Sequence, residues 1–233
     1  MIVLFDLNQA IQQAHYVVFM TGAGVSTASG IPDYRSETGV YAGKQNAEYA
    51  LSHDNFIQHP QDFWNFVKEN LFFPEAQPNV IHRKMAAITN HKGMVITQNI
   101  DGLDRQAGAH NLVEFHGNLY QTYCTKCQQA VPWQDYLQDY HHQDCGGIIR
   151  SQVVLYGEGI AEQNVQRAIQ AVQQADLIVV VGTSFQVYPF AGLIQFRSAA
   201  AQLVAVNKTP LAIPQQATML VGDATEIFDK LEE

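Results

Sequence analysis

The chain has 233 residues, enough for one substantial α/β core with a small appended module. Thirteen Lys and Arg against 22 Asp and Glu give a formal charge of −9, which argues against general binding to nucleic acid or anionic membranes and tolerates lysine-rich polypeptides. Three cysteines, two of them closely spaced, point to a metal site in a reducing compartment and not to a disulfide framework. The apolar opening is too short for a signal-peptide core and lacks basic residues before it, and no later apolar run reaches bilayer length, so the expectation is a cytoplasmic protein.

The first strand-like run, residues 16–20, leads into TGAGVSTASGIPDYR at residues 21–35. Gly22 and Gly24 let the backbone turn tightly and approach a ligand, and a following helix would offer its N-terminal N–H groups to phosphate. The third glycine of a G-x-G-x-x-G loop would fall at Thr27, and no acidic ribose partner follows at the usual distance, so an ordinary Rossmann dehydrogenase fits poorly. Asp33, Tyr34 and Arg35 add an acid, an aromatic ring and a guanidinium beside this loop. Next comes a helix predicted over residues 60–71, whose Phe63, Trp64, Phe66 and Val67 suggest a covering lobe.

Further strand-like runs lie at residues 94–97, 112–115, 152–155, 177–181, 203–206 and 219–221, separated by helix-period segments such as Ile81, Met85, Ile88 and Val165, Ala168, Val172. This alternation predicts a doubly wound parallel sheet of the Rossmann-like α/β class. Polar residues follow nearly every run: Gln98, Asn99 and Asp101; His116; Gly157 and Glu158; Gly182, Thr183 and Ser184; Asn207; Asp223. The carboxyl ends of parallel strands share one edge, so these scattered residues are expected at one site.

Each also has a plainer reading. Asn99 or Asp101 could cap a helix over residues 103–106 as readily as hold a ribose and an amide. His116 could be a packing residue or a base for a ribose hydroxyl, since imidazole titrates near neutrality. His15, His53, His59, His82, His91 and His110 have no motif around them and read as surface or packing residues. Gly182, Thr183 and Ser184 could cradle phosphate or simply turn the chain. Val153, Val154 and Leu155 suit any buried strand.

Cys124 and Cys127 form a Cys-x-x-Cys knuckle, and Cys145 with His142 two residues before its neighbour Asp144 makes a second pair. Together they give a tetrahedral Cys3His set for structural zinc, with His141 as the competing fourth ligand.

At these residues the chain resembles the sirtuin family of NAD-dependent protein lysine deacylases, in a compact bacterial form. The likeness runs through GAGVSTASGIPDYR, TQNIDGLDRQAG, His116 with Gly117, the cysteine module, VVLYGE, GTSFQVYP, Val206 with Asn207, and Gly222 with Asp223. It implies a Rossmann-like domain from residues 1–34, 79–117 and 151–233, a helical covering insertion at 35–78 and a zinc-binding insertion at 118–150. NAD and an acetyl-lysine peptide would enter the cleft between the two lobes. The implied NAD contacts are Gly22, Ala23, Gly24, Ser26, Thr27, Asp33, Tyr34, Arg35, Gln98, Asn99, Ile100, Asp101, His116, Gly182, Thr183, Ser184, Asn207 and Asp223. His116 would act as general base with Asn99 beside it, and Val153, Val154, Leu155, Tyr156, Gly157 and Glu158 would hold the acyl-lysine substrate. The products would be nicotinamide, deacetylated lysine and O-acetyl-ADP-ribose.

Tyr34 stands where phenylalanine is usual, Ser151 where proline is usual, and His142 where the fourth ligand is normally cysteine. The Tyr-x-x-Arg pair that reads acidic acyl groups is replaced by Trp64 and Val67, which implies acetyl or other neutral acyl groups. A protein mono-ADP-ribosyltransferase and a non-catalytic NAD-sensing or peptide-binding module are the alternatives. A zinc-ribbon nucleic-acid binder fits worst, because residues 118–150 hold only Lys126 and Arg150 as fixed cations.

Overall fold

The computed structural model describes residues 5–34, 36–37, 39–42, 47–213 and 217–232. Asp6 accepts the Gln9 N–H and starts α1 (Leu7–Gln13), which leads into β1 (Val17–Thr21). Helices α2 (Ala47–Ala50), α3 (His53–Gln58) and α4 (Pro60–Asn70) form the covering segment. Pro60 suits the first turn of α4, where its missing N–H has no helical partner to lose. Helix α5 (Val80–Lys92) returns the chain to β2 (Gly93–Thr97), and α6 (Leu103–Gln106) precedes β3 (Leu112–Glu114). Then come β4 (Gly117–Cys124), β5 (Ala130–Val131), α7 (Trp133–Tyr136) and β6 (Ile149–Val153). Helix α8 (Glu162–Gln174), β7 (Leu177–Val181), β8 (Gln202–Asn207), β9 (Thr218–Val221) and α9 (Ala224–Asp229) complete the order.

Six strands make a parallel sheet in the order β3-β2-β1-β7-β8-β9. Both central strands are buried throughout, as their apolar sequences VVFMT and LIVVV require of strands covered on two faces. Side chains alternate between the faces: Val17 and Phe19 meet Ile81, Met85 and Phe228 on one, while Val18 and Met20 meet Ala168, Val172 and Phe190 on the other. The chain starts at β1, works outward through β2 and β3, then restarts beside β1 at β7. This reversal opens a crevice between β1 and β7 at the strands' carboxyl ends.

The run at residues 152–155 is not a strand of that sheet. Its first residues end β6, which pairs antiparallel with β4, and β4 pairs with β5 in a separate three-stranded sheet. Val153 and Val154 are only half-buried because they face a cleft, so an apolar run that reads as a doubly covered strand is here a cleft wall. The small sheet shares one core with the covering helices: Phe56, Phe63, Val67 and Leu71 pack with Leu119, Cys124, Tyr136 and Ile149. Among the described residues no helix is long and apolar enough to cross a membrane.

Candidate functional site

Two glycines interlock at the switch between β1 and β7. The Gly24 N–H donates to the Gly182 carbonyl at 2.7 Å, and Gly182 itself takes φ +56°. A Cβ on Gly24 would press on the Gly182 backbone, and one on Gly182 on the backbone of Val25. The loop is therefore glycine because two backbones touch there. It continues as two 3-10 turns, Ala23–Val25 and Thr27–Ser29, and not as the phosphate-facing helix its sequence suggests; small residues and a left-handed Gly30 keep the turns tight and short.

Gln98 spans the crevice, donating to Thr183 Oγ1 at 2.7 Å. Asn99 is buried and is not a helix cap. Its side chain donates to the Gly22 carbonyl at 3.1 Å and to Ser26 Oγ at 3.2 Å. Asp101 does cap α6, accepting the Leu103 N–H at 2.9 Å, while its other oxygen accepts from Ser26 Oγ at 2.6 Å. Burial raises the Asp101 carboxyl, and the Ser26 and Leu103 hydrogen bonds pull it back. Ser26 Oγ also lies 3.5 Å from Nε2 of His82, a residue that reads as surface or packing in the sequence but is fully buried here. The Asn79 N–H donates to His82 Nδ1 at 3.2 Å, and burial pulls this imidazole down to about 4. The signal available in the sequence was the Asn79-x-x-His82 spacing of a capping box.

His116 follows β3, with Nδ1 3.1 Å from the Gln98 carbonyl. A carbonyl can only accept, so Nδ1 carries the proton and Nε2 keeps its lone pair. Burial lowers the imidazole and the Gln98 carbonyl partly restores it, leaving a neutral base at neutral pH. Gly117 behind it, at φ +85°, passes so close to the Gln152 carbonyl that any Cβ would collide.

A cleft of about 1160 Å³ runs along this edge. It brings together Ala23, Gly24, Thr27, Asp33 and Tyr34 from the first loop with Gln98, Asn99, Ile100 and His116. Gly182, Thr183, Ser184, Asn207 and Asp223 line it farther along, and residues 153–158 form the opposite wall. A side cavity of about 20 Å³ behind Ala23, Tyr34, Asn99 and Ile100 takes in Ser26 and Asp101. Arg35 lies outside the described residues. Asp223 spends one oxygen capping α9 through Thr225 and sets the other 3.7 Å from Lys208. Glu158, part of the opposite wall, is held from behind by its neighbours. Its carboxylate takes a bidentate pair from buried Arg150 at 2.6 and 3.0 Å and accepts the Leu155 N–H at 3.0 Å. Although burial opposes it, the Arg150 guanidinium and the Leu155 N–H hold this carboxyl below its ordinary range. Trp64 donates to the Tyr136 carbonyl at 2.8 Å, and Val67 is 2 % exposed in the lobe core.

The side chains of Cys124, Cys127, His142 and Cys145 converge within 4.8 Å of one another. Cys124 and Cys145 sulfurs are 3.4 Å apart, and His142 Nδ1 is 3.3 Å from both Cys127 and Cys145. Tetrahedral zinc with Zn–S near 2.3 Å needs ligand edges of roughly 3.5–3.8 Å, so these donors fit the ion. His141 is not part of the cluster; it turns to Asp139 at 2.9 Å. Four protein ligands leave no position for a substrate, so a zinc held there would be structural.

A crevice at the switch point of the parallel sheet, a neutral imidazole with a free nitrogen and the apolar wall of residues 153–158 thus meet in one cleft. The Sir2 family model matches residues 22–189. The chain is 56 % identical over 223 residues to the NAD-dependent protein deacetylase of Lactiplantibacillus plantarum, covering 95 % of each chain. It is 50 % identical over 227 residues to that of Listeria innocua, covering 97 % of this chain and 99 % of the relative. Among solved structures, a Sir2 complex with a p53 peptide and NAD+ superposes with a TM-score of 0.84 at 32 % identity, covering 95 % of this chain and 94 % of the other. Sequence, fold and site geometry agree that this chain belongs to the Sir2 family.

Proposed function

We propose that this protein is an NAD-dependent protein deacetylase that takes acetyl or other neutral acyl-lysine peptides, with His116 as its general base. The observation that carries the reading is the orientation of His116: Nδ1 faces the Gln98 carbonyl, leaving Nε2 free at the cleft that Ala23, Gly24 and residues 153–158 share. The curated relatives are named NAD-dependent protein deacetylases, and a Sir2 structure holds a deacetylated p53 peptide with 3′-O-acetyl ADP-ribose.

In this reading residues 1–34, 79–117 and 151–233 carry the nucleotide, and the insertions 35–78 and 118–150 make the peptide-facing lobe. Held in this cleft, NAD would supply an activated ribose: its bond to nicotinamide would give way to one with the acetyl oxygen, a ribose hydroxyl would take the acetyl carbon, water would supply the replacing oxygen, and the lysine amine would leave. His116 Nε2 takes the proton from a ribose hydroxyl. Asn99 and Asp101, braced by Ser26, orient the ribose and the nicotinamide amide, with Ile100 beside them and Ser26 and Asp101 in the side cavity. Gly22, Gly24, Thr27, Gly182, Thr183 and Ser184 receive the phosphates, and Asn207 and Asp223 the adenosine half. Asp33 and Tyr34, in the cleft wall, contact the nucleotide. Val153, Val154, Leu155, Tyr156 and Gly157 bind the acyl-lysine, and Glu158 holds that wall in shape through Arg150. With Val67 buried and Trp64 tied to Tyr136, no arginine stands at these positions for an acidic acyl group. Thiols gathered for zinc suit a reducing compartment, and we assign the protein to the cytoplasm.

The test is mass spectrometry after incubation with NAD and an acetyl-lysine peptide. Deacetylated peptide and O-acetyl-ADP-ribose should accumulate together. His116→Ala should lower turnover by about 10²–10⁴-fold while NAD binding persists. ADP-ribose transferred to protein without deacetylation would replace this reading with a transferase.

A further inference from the structure

Three successive residues of the wall at 153–158 are held by different parts of the molecule. The Val154 N–H donates to the His116 carbonyl at 2.9 Å, and the Leu155 N–H donates to the Glu158 carboxylate at 3.0 Å. Tyr156 is held from the covering segment. Its N–H donates to the Leu51 carbonyl at 3.0 Å and its carbonyl accepts the His53 N–H at 2.9 Å, so residues 51–53 run parallel to it with Ser52 opposite. The turn that presents them is itself tied down. Ser52 Oγ accepts the Asn55 N–H at 3.1 Å and donates to the Tyr49 carbonyl at 2.8 Å, while Asn55 Nδ2 donates to the Ala50 carbonyl at 3.1 Å. Leu51 and Leu155 are buried in the same lobe core, and Leu51 also lines the cleft.

We propose that this backbone clip sets the position of the acyl-lysine wall, with His53 as a positioning residue that acts through its N–H and not through its imidazole. The proposal rests on the deacetylase reading for the identity of the substrate, but not for the clip itself. His53 is the first residue of α3, where an N–H has no carbonyl of its own helix to bind. That spare donor is spent on the wall. Both polar backbone groups of Tyr156 are engaged by the covering segment, so a shift of α3 carries Tyr156 and its neighbour Gly157 with it. His53 Cβ stands 3.9 Å from the place a Cβ on Gly157 would take, which brings the segment into contact with the wall there as well. The imidazole is half-exposed, lies 4.0 Å from Asp54, and bears on Glu158 through its charge. The nucleotide is assigned to the glycine loops across the cleft, so the peptide and not NAD feels the clip.

Two substitutions at one position separate the N–H from the imidazole. The first helical position suits proline, and Ser52, at φ −93° and ψ 154°, already has the extended backbone that a following proline requires. His53→Pro therefore keeps α3 but removes the donor and sets a ring carbon toward the Tyr156 carbonyl, whereas His53→Ala keeps the donor and removes the imidazole. His53→Pro should raise the KM for an acetyl-lysine peptide by about 3–10-fold, the effect of one lost hydrogen bond, with kcat and the KM for NAD within about twofold of the parent. His53→Ala should stay within about twofold on all three. Hydrogen exchange reads the clip without turnover: the His53 amide, on an exposed residue at a helix start, should exchange at least about tenfold more slowly than a free amide. An inactive parent would sink the deacetylase reading and leave that measurement to decide the clip. Free exchange at His53, a folded His53→Pro with the parental peptide KM, an equal rise in the KM for NAD, or the same rise in His53→Ala would overturn the proposal. Should His53→Pro fail to fold, Ser52→Ala, which loosens the turn, takes its place with an expected rise in peptide KM of about 2–5-fold.

Discussion

In the parallel sheet, β1 and β7 are buried along their whole length and sealed by α5 and α9 on one face and α8 on the other. In the small sheet, β5 has two residues, β4 slips register against β6 between Asn118 and Thr122, and part of the core is borrowed from α3 and α4. The first is sustained by apolar area, which is diffuse and tolerant of small errors. The second depends on a few directional contacts: four converging metal ligands, the Arg150–Glu158 pair and the ring cluster of Phe72, Tyr120 and Trp133. The cleft is built where the two meet, so one wall rests on packing and the other on a lobe that zinc at the Cys3His cluster would hold together.

Removing the metal should produce the largest effect, because structural zinc contributes about 10–16 kcal/mol in small domains. Chelation or Cys145→Ser should unfix the lobe and stop peptide turnover while much of the parallel sheet persists. Both tryptophans, Trp64 and Trp133, lie in the lobe, so their fluorescence should shift before far-UV dichroism is lost. A single simultaneous transition would break the contrast drawn above. Phe19→Ala attacks the other region. Phe19 is 0 % exposed and packs on Phe228 at 5.9 Å, so its loss should cost about 3–5 kcal/mol in urea unfolding and lower both signals together. Glu158→Gln probes the seam. It should cost about 1.5–3 kcal/mol and raise the KM for peptide, with the KM for NAD nearly unchanged.

The strands of the parallel sheet were legible because double burial writes itself as an uninterrupted apolar run, and Leu177–Val181 carries no polar residue at all. The same rule misassigned residues 152–155, since a wall facing a ligand cleft is apolar for a different reason. Asn99 and Asp101 could not be separated by sequence: capping and ligand binding use the same side chains, and only the fold turns Asn99 inward while Asp101 caps α6. The choice between His141 and His142 hung on one residue of register, fixed by the His142 N–H on the Gly147 carbonyl at 2.7 Å. The burial of Asp104, 2 % exposed, left no trace. An acid in a short helix reads as solvent-facing, and its burial comes from the packing of α6 against α5 and the end of β2.

His82 gives the smallest effect at neutral pH and the finest test of how the parallel-sheet region carries its polar groups. Its folded-state pKa, about 4, lies below the ordinary 6.5. Between those values the unfolded chain binds a proton that the folded chain refuses, so stability is complete above about pH 6.5 and falls as pH drops toward 4. His116, also lowered by burial, adds a slope of the same sign, while Asp104, raised to about 8, opposes both by losing stability as pH rises. The difference between parent and His82→Gln therefore isolates one residue. The variant should cost about 1 kcal/mol at neutral pH and show a shallower loss of melting temperature on acidification. Parallel melting curves for the two proteins down to about pH 4 would mean that His82 charges inside the fold, and that the Ser26 network can hold a cation beside Asp101.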